Sequence, residues 1–204
     1  MLKQHLRSRG ISMVELMVTL TLAAILMAVA VPAFSTWMQN SRIRVTAEAV
    51  LAGLQYAKSE ATTRNSLVRF QLTSSVDDSC EIRADGSSWV VDMVDAGDED
   101  DSVAGRCATE PSDTVAPRIL QTRTAREGTG NATVLASADS LVFNGLGRLS
   151  PTPPATISID IGAADNDQCA ARGGDLTCLR VLVTPAGQLR MCNPVFPAGD
   201  PQAC

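Results

Sequence analysis

The stretch from Gly10 to Phe34, GISMVELMVTLTLAAILMAVAVPAF, constrains this chain more than any other. From Leu16 to Phe34 it carries no charge, and Glu15 is the one acid beside that run. Nineteen residues of helix rise about 1.5 Å each, roughly enough to cross the hydrocarbon core of a bilayer. Leu, Met and Ala favour helix, and the β-branched residues are scattered among them. Lys3, Arg7 and Arg9 precede the run, which predicts a leader held on the cytoplasmic side. A secretory signal has a shorter apolar core, about 7–15 residues, ahead of its cleavage site. Ala30-Val31-Pro32-Ala33 does follow the core here, but the run is too long for that reading. A plain single-pass anchor leaves Glu15 unexplained, because a lone carboxylate near a membrane is costly and usually has a partner.

Gly10, then Ile11-Ser12-Met13-Val14-Glu15 and a long apolar helix, resembles the class III signal of type IV prepilins and type II secretion pseudopilins. The resemblance implies that a prepilin peptidase cuts between Gly10 and Ile11 on the cytoplasmic face. It further implies that the new Ile11 amine is N-methylated and that the apolar helix stays in the mature protein. Glu15 then takes the place of the family's glutamate, and Pro32 that of its helix-kinking proline. Ile11 stands where Phe or Met is usual, and Ser12 where Thr is usual. In a helical stack, the Glu15 carboxylate of one subunit can meet the Ile11 ammonium of its neighbour. Pairing lowers the cost of both charges in apolar surroundings and sets the axial register.

The formal net charge is −5, and −8 without the three cations of the leader, which argues against general affinity for nucleic acid. Six cysteines, at 80, 107, 169, 178, 192 and 204, all follow the apolar run. An even number in an exported domain points to disulfides and an oxidising compartment, here the periplasm or cell surface. Six cysteines allow fifteen pairings. Nearness in sequence favours Cys80–Cys107, Cys169–Cys178 and Cys192–Cys204. No CxxC pair exists and the sole histidine, His5, is in the leader, so neither a metal nor a cofactor is expected.

The chain divides into a leader, 1–10, a transmembrane or filament-core helix, 11–34, an amphipathic continuation of that helix, 35–65, and a β-rich head, 66–204. A kink is expected near Pro32, whose ring removes a backbone donor. Ile43, Ala47, Val50, Leu54, Ala57 and Ala61 recur at helical spacing and make one apolar stripe for a sheet to cover. Asn65 is a C-terminal stop signal. The helix end Ala57-Lys58-Ser59-Glu60-Ala61-Thr62-Thr63-Arg64-Asn65, followed by a strand, is similar to that of the FimT and FimU minor pilins and the H-type pseudopilins. Lys58 stands where that group usually has Arg. Read without the resemblance, it is a helix end with a Glu60–Arg64 pair at i, i+4.

After Asn65 the pattern is β. Val68, Phe70 and Leu72 alternate with polar residues, and Trp89 to Met93 does so less cleanly. Further strands are expected at 117–122, 132–136, 139–143, 155–161, 177–184 and 187–192, with a tight turn at Thr184-Pro185-Ala186-Gly187. One long helix and eight short strands predict an α+β pilin-like fold, the helix packed on one or two antiparallel sheets.

Asp92, Asp95, Asp98, Glu99, Asp100 and Asp101 form an acidic cluster. It lacks EF-hand spacing and reads as a solvated loop. No nucleophile–base pair stands out, and no histidine follows the leader, so Ser-His-Asp and Cys-His catalysis is excluded and no enzyme is expected. DNA-uptake members of the FimT group carry a Gly-Arg-x-Arg motif near the C-terminus. The matching stretch here is Gly187-Gln188-Leu189-Arg190, without the first arginine. Arg148, Arg180 and Arg190 remain as candidate contacts for phosphate, and one or two such contacts bind weakly. The resemblance as a whole implies a minor pilin of the pilus tip or priming complex, supporting twitching motility and adhesion. Its expected partners are a prepilin peptidase, the major and other minor pilins and an inner-membrane assembly platform. DNA uptake and type II protein secretion are the alternatives.

Overall fold

The computed structural model describes residues 12–94, 101–124, 132–163 and 168–204. It divides into two compact units, 1–38 and 39–204. One helix, α1 (Met13–Arg64), starts in the first unit and runs through Pro32 without a break into the second. In the first unit every described side chain from Leu16 to Phe34 is exposed. Leu16 is 51 % exposed and Leu26 70 %.

Among the described residues, the second unit holds the rest of α1 and eight strands: β1 (Leu67–Thr73), β2 (Ser88–Val94), β3 (Ile119–Arg123), β4 (Ala132–Ala136), β5 (Ser140–Phe143), β6 (Ile157–Ala163), β7 (Leu179–Val183) and β8 (Leu189–Cys192). They form two four-stranded sheets, ordered β3-β2-β1-β5 and β4-β6-β7-β8. Every pairing is antiparallel. Strand β3 begins at Ile119 rather than 117, since Pro117 has no N–H to give a ladder. Strand β7 begins at Leu179 rather than 177, just beyond the Cys169–Cys178 disulfide.

The apolar stripe of α1 is the centre of the main core. Ile43, Ala47, Val50, Leu54, Ala57 and Ala61 are each at most 2 % exposed. They pack with Val68, Phe70 and Phe143 of the first sheet and Ile159, Ile161 and Val181 of the second. Gly53 lets the helix come close to the first sheet. A Cβ placed there would sit 2.8 Å from ring atoms of both Phe70 and Trp89. Those rings already touch, with centroids 5.7 Å apart. Overfilling a packed core costs about 1–3 kcal/mol, so Gly53→Val is expected to lower denaturant stability by that amount. The helix ends where Asn65 takes a left-handed φ of 49°. There the Ser66 N–H donates to the Ala61 carbonyl at 3.2 Å, a common way to close a helix.

The first sheet is covered on both faces, which is why β2 does not alternate. Trp89 and Val91 face the main core, while Val90 joins Cys80, Val103, Cys107 and Ile119 in a second small cluster. The Cys80–Cys107 disulfide lies within that cluster.

This second covering corrects the reading of the acidic residues as a solvated loop. Asp92 is on β2 and fully buried, opposite Arg69 of β1. Arg69 Nη2 donates to Asp92 Oδ2 at 2.5 Å and to the Asp101 carbonyl at 2.8 Å. Asp101 is also buried, and Arg118 Nη2 donates to its Oδ2 at 2.6 Å. Burial pushes the Asp92 carboxyl up from its ordinary 3.8 to about 7, more than Arg69 draws it back. Asp95, Asp98, Glu99 and Asp100 lie outside the described residues.

Candidate functional site

Two regions carry the residues singled out from the sequence: the start of α1 and the β7–β8 end of the head. Gly10 and Ile11 lie outside the described residues. Description begins at Ser12, which caps the helix. The Leu16 N–H donates to the Ser12 carbonyl at 3.1 Å, and the Glu15 N–H donates to Ser12 Oγ at 3.2 Å. Ser12-Met13-Val14-Glu15 thus has the S-x-x-E pattern of a capping box. Beyond standing where Thr is usual, Ser12 is a helix cap, and its three-residue spacing to Glu15 is the sequence signal for it. The cap starts α1 at Met13, two residues after Ile11, and places Glu15 in its first turn, where a carboxylate also complements the helix dipole. Pro32 lies inside the helix, and Thr36 Oγ1 donates to its carbonyl at 3.3 Å.

At the other end of α1, Lys58 reaches the head. Its Nζ donates to the Gly187 carbonyl at 2.8 Å and so ties the helix to the β7–β8 turn. That turn closes by the Gly187 N–H donating to the Thr184 carbonyl at 2.8 Å. Gly187 has a φ of 78°, and a Cβ there would fall 1.8 Å from the Gly147 carbonyl oxygen. The glycine is therefore needed for contact between turns. Arg64 holds two acids at once, Glu60 at 2.6 Å and Asp113 at 3.0 Å, and these hydrogen bonds raise its pKa. The i, i+4 pair read from the sequence therefore extends to the loop before β3.

The three arginines considered for phosphate contact have different surroundings. Arg180 pairs across strands with Asp160, at 2.6 Å and 3.1 Å. That contact neutralises it locally. Arg190 is exposed on β8, with Nη2 3.5 Å from the Cys204 carbonyl. Arg148 is exposed, and its backbone N–H donates to Asn144 Oδ1 at 3.2 Å. A cleft of about 110 Å³ beside Asp160 and Arg180 is lined also by Leu135, Arg172 and Pro194. Small-molecule sites usually exceed about 300 Å³. Among the described residues no group of three or more His, Cys, Asp or Glu is arranged to hold a metal. The disulfides are Cys80–Cys107, Cys169–Cys178 and Cys192–Cys204.

With this geometry in place, residues 46–187 match the family model of the type II transport protein GspH. The chain belongs to the GspH family. Residues 5–31 match the prokaryotic N-terminal methylation motif, so the GspH-type region is joined to the N-terminal signature of a pilin. No curated protein matches the chain. Among solved structures it is similar to the type IV minor pilin FimU of Pseudomonas aeruginosa (strain PAO1). A crystal form in space group P21 aligns at 18 % identity and TM-score 0.50, covering 82 % of this chain and 98 % of that one. A second form, in P65, aligns at 17 % identity and TM-score 0.46, covering 79 % and 98 %. The P21 likeness shows the fold: a long N-terminal helix packed on antiparallel sheets. This GspH-family chain is therefore a pilin-type subunit, with a methylation motif, an apolar N-terminal helix and a disulfide-bonded head.

Proposed function

We propose that this chain is a minor pilin of the FimU kind, which helps to start a type IV pilus and stays at its tip, supporting twitching motility and adhesion. The observation that carries this reading is the contrast along α1. Its second half is the core of the head, while the described side chains of Leu16–Phe34 are all exposed and uncharged. Such a surface has two natural solvents, the bilayer before assembly and the helices of other pilins after it. In the unassembled subunit the helix spans the inner membrane once, with the head in the periplasm. Prepilin peptidase cuts after Gly10, Ile11 is methylated, and the assembly platform moves the subunit into a stack where Glu15 meets the Ile11 amine of a neighbour. Other minor pilins and the major pilin are its partners. A head-to-tail stack of this kind does not close on itself, which makes a filament.

The GspH family match favours a second reading, an H-type pseudopilin of type II protein secretion. DNA uptake has less support, since Arg180 is already paired with Asp160. A clean deletion strain separates these readings. Loss of sheared surface pili, restored by the wild-type gene, supports the first. Glu15→Ala is expected to restore pili at least about tenfold less well, because it leaves the neighbour's ammonium without its partner in apolar surroundings. Normal pilus yield with a loss of protein secretion would move the assignment to the pseudopilin.

A further inference from the structure

The end of the apolar helix carries an aromatic pair that the pilin reading does not use. Phe34 closes the apolar run and Trp37 follows one turn later on the same helix. Their rings touch, with centroids 5.7 Å apart and planes inclined by 34°. Phe34 is 58 % exposed and Trp37 65 % exposed, so the pair is presented outward. Around Trp37 the chain changes character. Ser35, Thr36, Gln39, Asn40 and Ser41 are polar and uncharged, and Arg42 is the first charge after Glu15.

The spacing fits a bilayer. Leu16 to Phe34 covers about 28 Å of helix, close to the roughly 30 Å of a hydrocarbon core. Trp37 then falls about 4–5 Å beyond Phe34, at the level of the headgroups. An indole suits that zone, with a wide apolar body and one N–H that must find a polar partner. The span is thus bounded by Glu15 at one end and by an indole at the other.

We propose that Trp37, backed by Phe34, is an interfacial anchor that fixes the depth of the unassembled subunit in a phospholipid bilayer. Its indole lies among the headgroups of the periplasmic leaflet. The proposal rests on the reading of α1 as a membrane span and adds which residue sets its depth. The anchor must be given up when the subunit leaves the membrane, so the pair sets part of the work of extraction.

The test uses the full-length protein in phosphatidylcholine–phosphatidylglycerol vesicles whose acyl chains carry bromine near the headgroup, at mid-chain or at the chain end. The chain has two tryptophans. Trp89 is 3 % exposed in the head core, so the Trp37→Phe protein supplies its background emission. Flotation with the vesicles is measured first. A protein that does not float refutes the membrane-span reading and the anchor together. For a protein that floats, Trp37 emission is expected to be quenched at least about twofold more by bromine near the headgroup than at the chain end. Strongest quenching from the chain end places the indole in hydrocarbon and overturns the anchor. Quenching by aqueous acrylamide but by no brominated lipid places it in water and also overturns the anchor. Either of those last results leaves the membrane span standing.

Discussion

Arg69→Ala is expected to cost the head about 3–5 kcal/mol at pH 8, because it breaks a buried pair and Asp92 must then stand as an unpaired charge or take up a proton. Asp92 has no exposed surface, and Arg69 is the guanidinium that meets both its oxygens. The same Arg69 nitrogen that binds Asp92 Oδ2 also holds the Asp101 carbonyl, so two sites lose a donor at once. The pH dependence identifies the cause. The Asp92 carboxyl titrates at about 7 in the folded protein against an ordinary 3.8. Between those values the folded state binds more protons than the unfolded one. The contribution of Asp92 to stability is therefore greatest at low pH, declines as pH rises through that window and is flat above it. Without Arg69 the carboxyl is pushed higher still. The loss in Arg69→Ala should then be largest above pH 7 and shrink by pH 5, where Asp92 can be neutral. Asp92→Asn should flatten the wild-type slope. Urea unfolding of the head, residues 39–204, at the two pH values measures all three. An equal loss at both would assign the effect to packing of the arginine stem.

The second large effect is expected from Cys80→Ala with Cys107→Ala. The cross-link joins residues 27 apart. On loop-closure entropy, removing it costs about 3–4 kcal/mol, against a little under 3 kcal/mol for each of the two shorter loops. The margin is widened by position. Cys80 and Cys107 are each 2 % exposed and lie within the small cluster over the outer face of β2. Val90, Val103 and Ile119 depend on that covering, whereas Cys204 is at the surface. Thermal unfolding of the three double variants should therefore rank this one lowest. A Tm no lower than that of the Cys169–Cys178 variant would show that the cluster closes without its staple.

The local structure was legible where one physical cause acted alone. The helix stripe from Ile43 to Ala61 and the strand pattern of Leu179 to Val183 each answer to one buried face, and periodicity locates them. Strand β2 answers to two. Its outer face is covered by the segments on either side of it, around Cys80 and around Val103 and Cys107, so Val90 and Asp92 are as buried as Trp89 and Val91. An aspartate beside an acidic run looks solvated until its cross-strand arginine is known. The order of strands within the sheets was hidden for the same reason, since β1 pairs with β2 and with the distant β5. At the start of α1, the Ser12 cap was within reach of sequence. The cap uses the Glu15 backbone N–H, so the Glu15 side chain is not needed for that bond. The tie from Lys58 to Gly187 crosses 129 residues, and no local pattern announces it.

The disulfides have a consequence for biosynthesis. Each disulfide joins two cysteines that are consecutive along the chain, 80 with 107, 169 with 178 and 192 with 204. In the proposed orientation, with the head exported from its N-terminal side, the thiols arrive in that same order. An oxidase that joins each newcomer to the thiol still waiting reaches the final connectivity directly. The topology thus places its burden on an oxidase and spares the cell an isomerase, so that maturation of this head should depend on how fast it is oxidised and not on how well it is proofread.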